Sequence, residues 1–542
     1  MRKIKFFTLS ILVVCLTFPC YAAELTLGGF PSFMRTRVRF IKNATFISAI
    51  DDATAQALGF SDADDNISFA DTRLRLTPQL VLSDSVTIRA QVDVFDNVIW
   101  GGATSALLGG RSTLVNSSIT TGDRFRGALL IGTNAIDRGI GESFGVDDDV
   151  QFFNIRMLHA DIVLPANLGF VRIGRQPFDW GMGILGNGGW DPLSDLGFFL
   201  DRFLYLKSWP LSGGTFTFIF VTDRFTQGNS VVTAHGDGWD GGAFALVYNH
   251  PSILGGNITM GVYLFPWIHQ ENFGTACPPP PFGEGNEALC PPVPVGADLD
   301  LRFFTLYSAF IDYKTDFLRL TGEIQGGFGE IEAGPAEIDI EPSNILFALR
   351  AEVYPSLPIK FIAAEFGWAS GDEFDPNSTD LEGSVIFFNP AYNIDNLLFK
   401  HMIPTVYQAE GSVINAFYAR VWGTVNLLDR LSFSPQVLVA WNQETDTCVS
   451  GGGTCLGGIP VNADRYMATE LEGTFTVNVV PGVNLDIVGS IVIAGEGLKD
   501  LLEAQARGQL ANANLTGTVD AEDVAWAVQG RLLVFIDEFL KK

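Results

Sequence analysis

Met34-Arg35-Thr36-Arg37-Val38-Arg39-Phe40 puts an arginine at every second residue. Alternate side chains of an extended strand point to opposite faces, so Arg35, Arg37 and Arg39 share one face. If this strand crosses a membrane in a barrel, that face must turn inward, because an arginine facing lipid at the midplane costs about 2–4 kcal/mol. A half-buried soluble sheet alternates in the same way, so a single strand leaves both readings open. Repetition separates them. Val86, Ile88, Ala90, Val92 and Val94 alternate with Thr87, Arg89, Gln91 and Asp93. Leu318, Leu320 and Ile324 alternate with Arg319, Thr321, Glu323 and Gln325. Met467, Leu471, Phe475, Val477 and Val479 alternate with Glu470, Glu472, Thr474 and Asn478. Leu485, Ile487, Ile491 and Ile493 alternate with Asn484, Asp486 and Ser490, and Trp526, Val528, Leu532 and Val534 with Ala527, Gln529 and Arg531.

Between such segments lie short turn signals: Ser83-Asp84-Ser85, Pro165-Ala166-Asn167, Ser212-Gly213-Gly214, Pro251 to Gly256, Lys314-Thr315-Asp316, Pro355 to Pro358, Leu428-Asp429 and Val480-Pro481-Gly482. Longer Gly-, Asp- and Pro-rich stretches separate successive turns. Short turns on one side and long loops on the other are the outer-membrane barrel pattern, with the short side periplasmic. These turns join sixteen strands, with one more before them near Leu25 to Phe40 and one after them near Asp523 to Phe539. The expected fold is all-β, a transmembrane antiparallel barrel of about 18 strands with both termini in the periplasm. Gln151 to Leu164 and Asp201 to Trp209 alternate poorly, so bulges or an error of two strands are expected there.

The other totals agree. Arg2, Lys3 and Lys5 precede an apolar run from Phe6 to Phe18 and the small residues Cys20 and Ala22, the order of a secretory signal. Cleavage is expected after Ala22, leaving residues 23–542 as the barrel. No later run is long and apolar enough for a membrane helix, yet 47% of the chain is hydrophobic, with 44 Phe. A barrel turns that apolar surface toward lipid. The net charge of −27 argues against a nucleic-acid partner. Cys277 with Cys290, and Cys448 with Cys455, form two close pairs, read as disulfides in loops on the outside of an exported chain. The expected location is the outer membrane of a Gram-negative-type bacterium. The expected partners are outer-membrane lipid, lipopolysaccharide and the barrel-assembly machinery.

The charged inward faces carry the functional reading. Arg35, Arg37, Arg39, Arg73, Arg75 and Arg89 lie on the first three strands, and barrel closure brings Arg531 beside Arg37. Arg172, Arg319, Arg350 and Arg420 are further inward candidates. Asp71, Asp93, Glu323, Glu352, Glu365, Glu470, Glu472 and Asp486 answer them. A barrel of about 18 strands is too wide for side chains to fill, so a water-filled path lined by these groups is expected, with weak anion selectivity. A static arginine–carboxylate network is the structural alternative. The stretch Gly101 to Asp149, with Arg111, Arg124, Arg126 and Arg138, is either an external lid or a segment folded into the bore. Leu498, Leu501 and Leu502 mark a short helix in the last external loop, read as a cap on the rim or a plug.

Acidic clusters at Asp62, Asp64 and Asp65, at Asp147 to Asp149, and at Asp372, Glu373, Asp375 and Asp380 lack full calcium-loop spacing and read as solvated loops. No H-E-x-x-H occurs, and the five histidines stand in no recognisable nucleophile or metal spacing, so neither an enzyme nor a cofactor is expected. The functional expectation is a porin-like channel for diffusion of small hydrophilic solutes, anionic ones included. The alternatives are a transporter of hydrophobic ligands, for which the many Phe residues speak, or a structural barrel.

Phe170 to Gly183 reads F-V-R-I-G-R-Q-P-F-D-W-G-M-G, followed by Ile184 to Asn187 and later by Phe199-Leu200-Asp201-Arg202. This resembles a stretch of the alginate-export type of outer-membrane barrel, over about 15 residues. The resemblance implies 18 strands and an arginine-lined anion pore, with Arg172, Arg175 and Gln176 near its wall. Alternation alone puts Arg175 outward, so the resemblance requires a bulge. Ile184 stands where that family has a basic residue. Phe539, close to the chain end, resembles the terminal aromatic that the assembly machinery reads.

Overall fold

An antiparallel sheet removes its two exposed edges only by closing on itself, and this sheet closes. The computed structural model describes residues 24–27, 30–43, 47–49, 66–99, 153–194, 197–224, 240–276, 297–333, 338–355, 358–374, 380–382, 388–389, 391–407, 413–449, 458–512 and 519–540. The signal segment, 101–149, Cys277, Cys290, Cys455 and the acidic clusters at 62–65 and 147–149 lie outside the described residues.

The strands are β1 (Phe33–Lys42), β2 (Asn66–Leu76, continued by Pro78–Ser83), β3 (Val86–Ile99), β4 (Phe153–Leu164), β5 (Gly169–Pro177) and β6 (Phe199–Leu211). Next come β7 (Gly214–Arg224), β8 (Asp240–Ile253), β9 (Gly256–Ala276), β10 (Ala297–Lys314), β11 (Leu318–Ala333) and β12 (Ile338–Val353). The last six are β13 (Ile359–Ala369), β14 (Ala416–Leu428), β15 (Leu431–Asn442), β16 (Tyr466–Val480), β17 (Val483–Ala494) and β18 (Val524–Phe535). The main sheet has 21 segments but 18 staves. Glu24–Leu27 pairs with the lower half of β2, ahead of β1, and Asp380–Glu382 is a short parallel addition to β12. β1 pairs with β2 on one side and with β18 on the other, from Phe33↔Phe535 to Lys42↔Trp526, which closes the barrel.

Seven of the eight turns lie wholly within the described residues and fall where the sequence places them; the eighth, Pro355 to Pro358, is flanked by β12 and β13 as expected. Ser212-Gly213 and Leu254-Gly255 have positive φ at both central residues, the type I′ geometry whose twist matches that of the flanking strands. The poorly alternating β4 and β6 are both present, so the count stays at 18, and a register shift at Gln91/Val92 lies beside β4. One expectation changes at the chain end. β18 stops at Phe535, and Ile536–Leu540 is a helical turn, so Phe539 is not on the last strand. Asp537 accepts a hydrogen bond from the Ser32 amide at 2.7 Å and folds this turn back against the start of β1.

Burial separates the two faces. Along β1, Met34, Val38 and Phe40 are exposed while Arg35, Arg37 and Arg39 are buried. Val262, Leu320, Leu349, Val421, Leu471 and Ile487 continue the exposed apolar belt around the barrel. In water such a belt would forfeit about 25 cal/mol for each Å² of apolar area left uncovered, so it fits lipid. Aromatic pairs sit at both ends of the strands. Phe40–Trp526, Phe347–Trp368 and Phe417–Trp441 lie at the loop end, and Trp209–Phe216 and Phe433–Phe475 at the turn end. These are the two girdles that mark membrane interfaces.

Candidate functional site: the barrel interior

The inward arginines meet chain rather than an open bore. The β5–β6 connection, residues 178–198 with 195–196 outside the described residues, leaves its own strands and reaches the wall of β1 and β2. There Arg35 Nη1 donates to the Pro192 and Ser194 carbonyls at 2.9 and 3.3 Å. Arg73 Nη1 donates to Ser194 O and Arg75 Nη1 to Gly189 O, both at 3.0 Å. Carboxylates fill the spaces between the guanidinium groups. Arg37 Nε donates to both oxygens of Asp71 at 3.0 Å. Arg75 grips Asp93 through two bonds of 2.7 and 2.8 Å, and Arg73 and Arg156 stand within 3.5 Å of the same carboxylate. Each charged group here is at most 5% exposed.

The opposite side of the same connection rests on β10 and β11. Trp180 Nε1 donates to Ser308 Oγ at 3.0 Å. Glu323 of β11 accepts four successive backbone N–H groups: Met182, Gly183 and Ile184 on Oε2 at 2.6, 3.1 and 3.4 Å, and Leu185 on Oε1 at 3.1 Å. β1 and β2 lie about nine staves from β10 and β11 in a ring of 18, on opposite walls, so a segment held by both crosses the lumen.

A second segment, 388–407, enters from the β13–β14 connection. Glu470 of β16 accepts Asn396 N at 3.2 Å and Leu398 N at 2.9 Å. Arg420 Nη1 and Gln436 Nε2 donate to Ile394 O at 2.9 and 2.7 Å. Arg350 Nη2 bonds Tyr392 Oη at 2.9 Å. Asp395 accepts Phe399 N and Lys400 N at 2.8 and 3.0 Å, starting a π-helical turn, Leu398–Met402, that continues as helix α1 (Ile403–Tyr407). Burial pushes the Asp395 carboxyl up to about 6. The two segments touch: Asn389 N donates to Ile184 O at 2.8 Å, and Asn187 Nδ2 to Ala391 O at 3.3 Å. Helix α2 (Glu496–Asn512) adds Leu498, Leu501 and Leu502 to the same buried apolar cluster as Phe388, Phe399 and Ile403. It packs over the second segment as a cap.

Toward the turn end the charged groups are more accessible. Arg172 holds Asp161 by two bonds of 2.6 and 3.1 Å, and Arg89 Nε donates to the same carboxylate at 3.0 Å. The Arg89 and Arg172 side chains keep 27% and 24% exposure. Across the lumen Arg319 pairs with Asp312 through two bonds of 2.9 Å, and Arg350 stands 3.7 Å from Glu352. Deeper in, Glu365 is shared by Arg350, Arg420 and Tyr418, with bonds of 2.6 to 3.1 Å.

The expected site residues thus divide. Arg35, Arg37, Arg39, Arg73, Arg75 and Asp93 face inward but are buried, Arg35, Arg73 and Arg75 under the first segment. Arg89 does not join that wall and belongs with Asp161 and Arg172. Glu323 and Glu470 hold the inward segments, Glu365 holds arginines, and Glu472 is half-buried beside them. Arg531 is the register partner of Arg37 and pairs with Asp486 at 3.3 Å. Arg319 is half-exposed near its turn. Alternation identifies the face of a side chain but not what fills the space in front of it, which is why the open wall is absent here. Arg175 points outward, to an ion pair with Asp201 at 2.7 Å, and no bulge turns it in. Gln176 is the buried neighbour. Cys448 is disulfide-bonded and buried.

The sequence reading missed Arg156, Asp161, Arg202 and Asp223, the last two joined by a buried two-bond ion pair at 2.5 and 2.6 Å. It also passed over Gly141-Glu142-Ser143-Phe144-Gly145, a G-x-S-x-G match. This match lies outside the described residues, and the motif carries weight only on a strand-to-helix turn. Among the described residues no group of three or more His, Cys, Asp or Glu is placed to hold a metal ion.

No family model matches the chain. No curated protein matches it either. Solved outer-membrane barrels align along nearly its whole length. The outer-membrane channel DcaP of Acinetobacter baumannii is 11% identical with a TM-score of 0.38, over 95% of this chain and 99% of that one. Pseudomonas aeruginosa OccD3 (OpdP) is 10% identical with a TM-score of 0.41, over 95% and 93%. The anion-selective porin from Comamonas acidovorans is 12% identical with a TM-score of 0.34, over 94% and 99%.

Proposed function

We propose that this protein is a passive channel of a bacterial outer membrane, narrowed from within by its own segments 178–198 and 388–407, and that it passes small hydrophilic solutes. The observation that carries the reading is the closed barrel of 18 staves with an apolar outer belt and a charged interior. A barrel of that size encloses more space than inward side chains fill. The charged groups that stay accessible, Arg89, Arg172 and Arg319 toward the turn end, mark where water and polar solutes would reach the interior.

The half-exposed Arg89 and Arg172, which share one aspartate, support a mild preference for anions at the turn end. The resemblance to the alginate-export type supports no acidic polysaccharide as the solute: its residues run into the crossing segment, and Arg175 is on the outer face. The apolar cluster around Phe388 and Phe399 packs against α2 as a cap, which speaks for a constriction and not for a hydrophobic-ligand transporter. Lipid and lipopolysaccharide contact the belt, and the barrel-assembly machinery inserts the chain.

Liposome swelling tests the reading. Vesicles carrying the folded protein should swell in small neutral sugars and more slowly in larger ones. No swelling with any solute, from protein shown to be folded, would leave a structural barrel.

A further inference from the structure

The Glu323 carboxylate is 2% exposed, and among the described residues its partners are the four backbone N–H groups of Met182, Gly183, Ile184 and Leu185. No cation pairs with it there. A carboxylate held by converging backbone amides alone occupies an anion nest, a concavity that successive N–H groups form without any side-chain charge. The backbone is shaped for it. Gly181 and Gly183 have φ of +52° and +96°. A Cβ on Gly181 would lie 2.5 Å from Glu323 Oε2, so only glycine lets the carboxylate sit down. Trp180, wedged edge-on against Phe310 with centroids 4.9 Å apart, fixes the approach.

We propose that Met182–Leu185 is a carboxylate-binding site, occupied in this state by the chain's own Glu323, and that segment 178–198 stays latched across the lumen only while the site is filled. Glu323 is the tethered ligand, so its high effective concentration excludes free carboxylates from the intact protein. Once the side chain is removed, a small carboxylate such as acetate takes its place on the same four donors. The other end of the segment hangs from Arg35, Arg73 and Arg75 by carbonyl bonds. Without Glu323 that end keeps the bonds of Trp180 to Ser308, Asn389 to Ile184 and Asn187 to Ala391, against four amides lost, so the segment pivots on the arginine wall. The gating half of this inference rests on the channel reading; the binding half does not.

The test uses full-length protein, checked for folding by its heat-modifiable mobility, as wild type, Glu323→Ala, Glu323→Gln and Glu323→Ala with Gly181→Ala. Acetate binding is read by saturation-transfer NMR, and gating by single-channel recording in chloride and in acetate at equal ionic strength. Acetate should bind Glu323→Ala, and should bind neither the wild type nor the double variant. Glu323→Ala should dwell open about tenfold more than wild type, the scale of losing hydrogen bonds to a charged group, and acetate but not chloride should restore the closed dwell. Glu323→Gln keeps the shape with one acceptor oxygen. It should open more often without acetate rescue, and it carries the test if the alanine variant does not fold. Equal acetate binding by wild type and Glu323→Ala, binding by neither, or unchanged gating in both single variants would overturn the proposal. Absence of conductance in every variant would count against the channel reading instead, with the binding result still deciding the site.

Discussion

Arg37 and Arg531 are direct register partners across the seam where β1 meets β18. Two cations thus face each other where the barrel closes, each answered from the next strand outward, Arg37 by Asp71 of β2 and Arg531 by Asp486 of β17. Removing one partner of a buried pair costs about 3–5 kcal/mol, because the remaining charge stays buried. Asp71→Asn should therefore lower the unfolding free energy read from urea titration by an amount in that range. Asp71→Asn with Arg37→Met, which removes both charges, should recover much of the loss. The check is a double-mutant cycle in detergent or lipid. A midpoint unchanged in Asp71→Asn would show that the seam does not depend on these carboxylates.

Under the channel reading, selectivity is expected at the turn end, where the charged groups are accessible. Arg35, Arg73 and Arg75 are sealed under 178–198, while Arg89 and Arg172 keep about a quarter of their surface. Charges lining a narrow path act on every passing ion, whereas loop charges in water are screened within about 8–10 Å. Arg89→Gln with Arg172→Gln should move the reversal potential across a salt gradient toward cations. Arg75→Gln should loosen the first segment and raise conductance with little shift in that potential. The opposite assignment of the two effects would restore the arginine wall as the selectivity element.

Asp395 gives a pH dependence of known sign. Its folded value of about 6 lies above the roughly 3.9 of an unfolded aspartate. The protonated form is therefore the one the fold favours: this contribution is complete below about pH 4 and is lost as pH rises through about 6. Lys400, Arg420 and the carboxylates of Glu470 and Glu472 surround the group and share its field. Segment 388–407 should accordingly be better protected at pH 5 than at pH 8 in hydrogen exchange corrected for intrinsic rates. Asp395→Asn should flatten that difference. Greater protection at pH 8 would reverse the sign.

Strands and turns were legible because their signals are local. A period of two over Val86 to Val94 and two left-handed residues at Ser212-Gly213 need no knowledge of the rest of the chain. The meeting of Arg37 and Arg531 also followed from the sequence, since closure of an even barrel determines which strands are neighbours. The crossing segments were not read, since a chain that fills a lumen has no period. Signals were present nonetheless. Gly181, Gly183, Gly186, Gly188 and Gly189 lie between Trp180 and Trp190, and Leu397, Leu398, Phe399, Ile403, Val406 and Tyr407 crowd a loop. Both stretches are too apolar for water and too irregular for a strand, which points to the interior. Arg175 was read correctly as outward by alternation, against the resemblance, and its partner Asp201 lies two residues into β6 at the loop end.

In the proposed channel, water and ions cross the barrel despite the two segments inside it. Single-channel recording of the folded wild-type protein in planar bilayers tests it most directly. Discrete conductance steps are expected, smaller than those of an unobstructed barrel of 18 staves, with weak anion preference in a salt gradient. Insertion of folded protein without conductance steps at any salt concentration would contradict it.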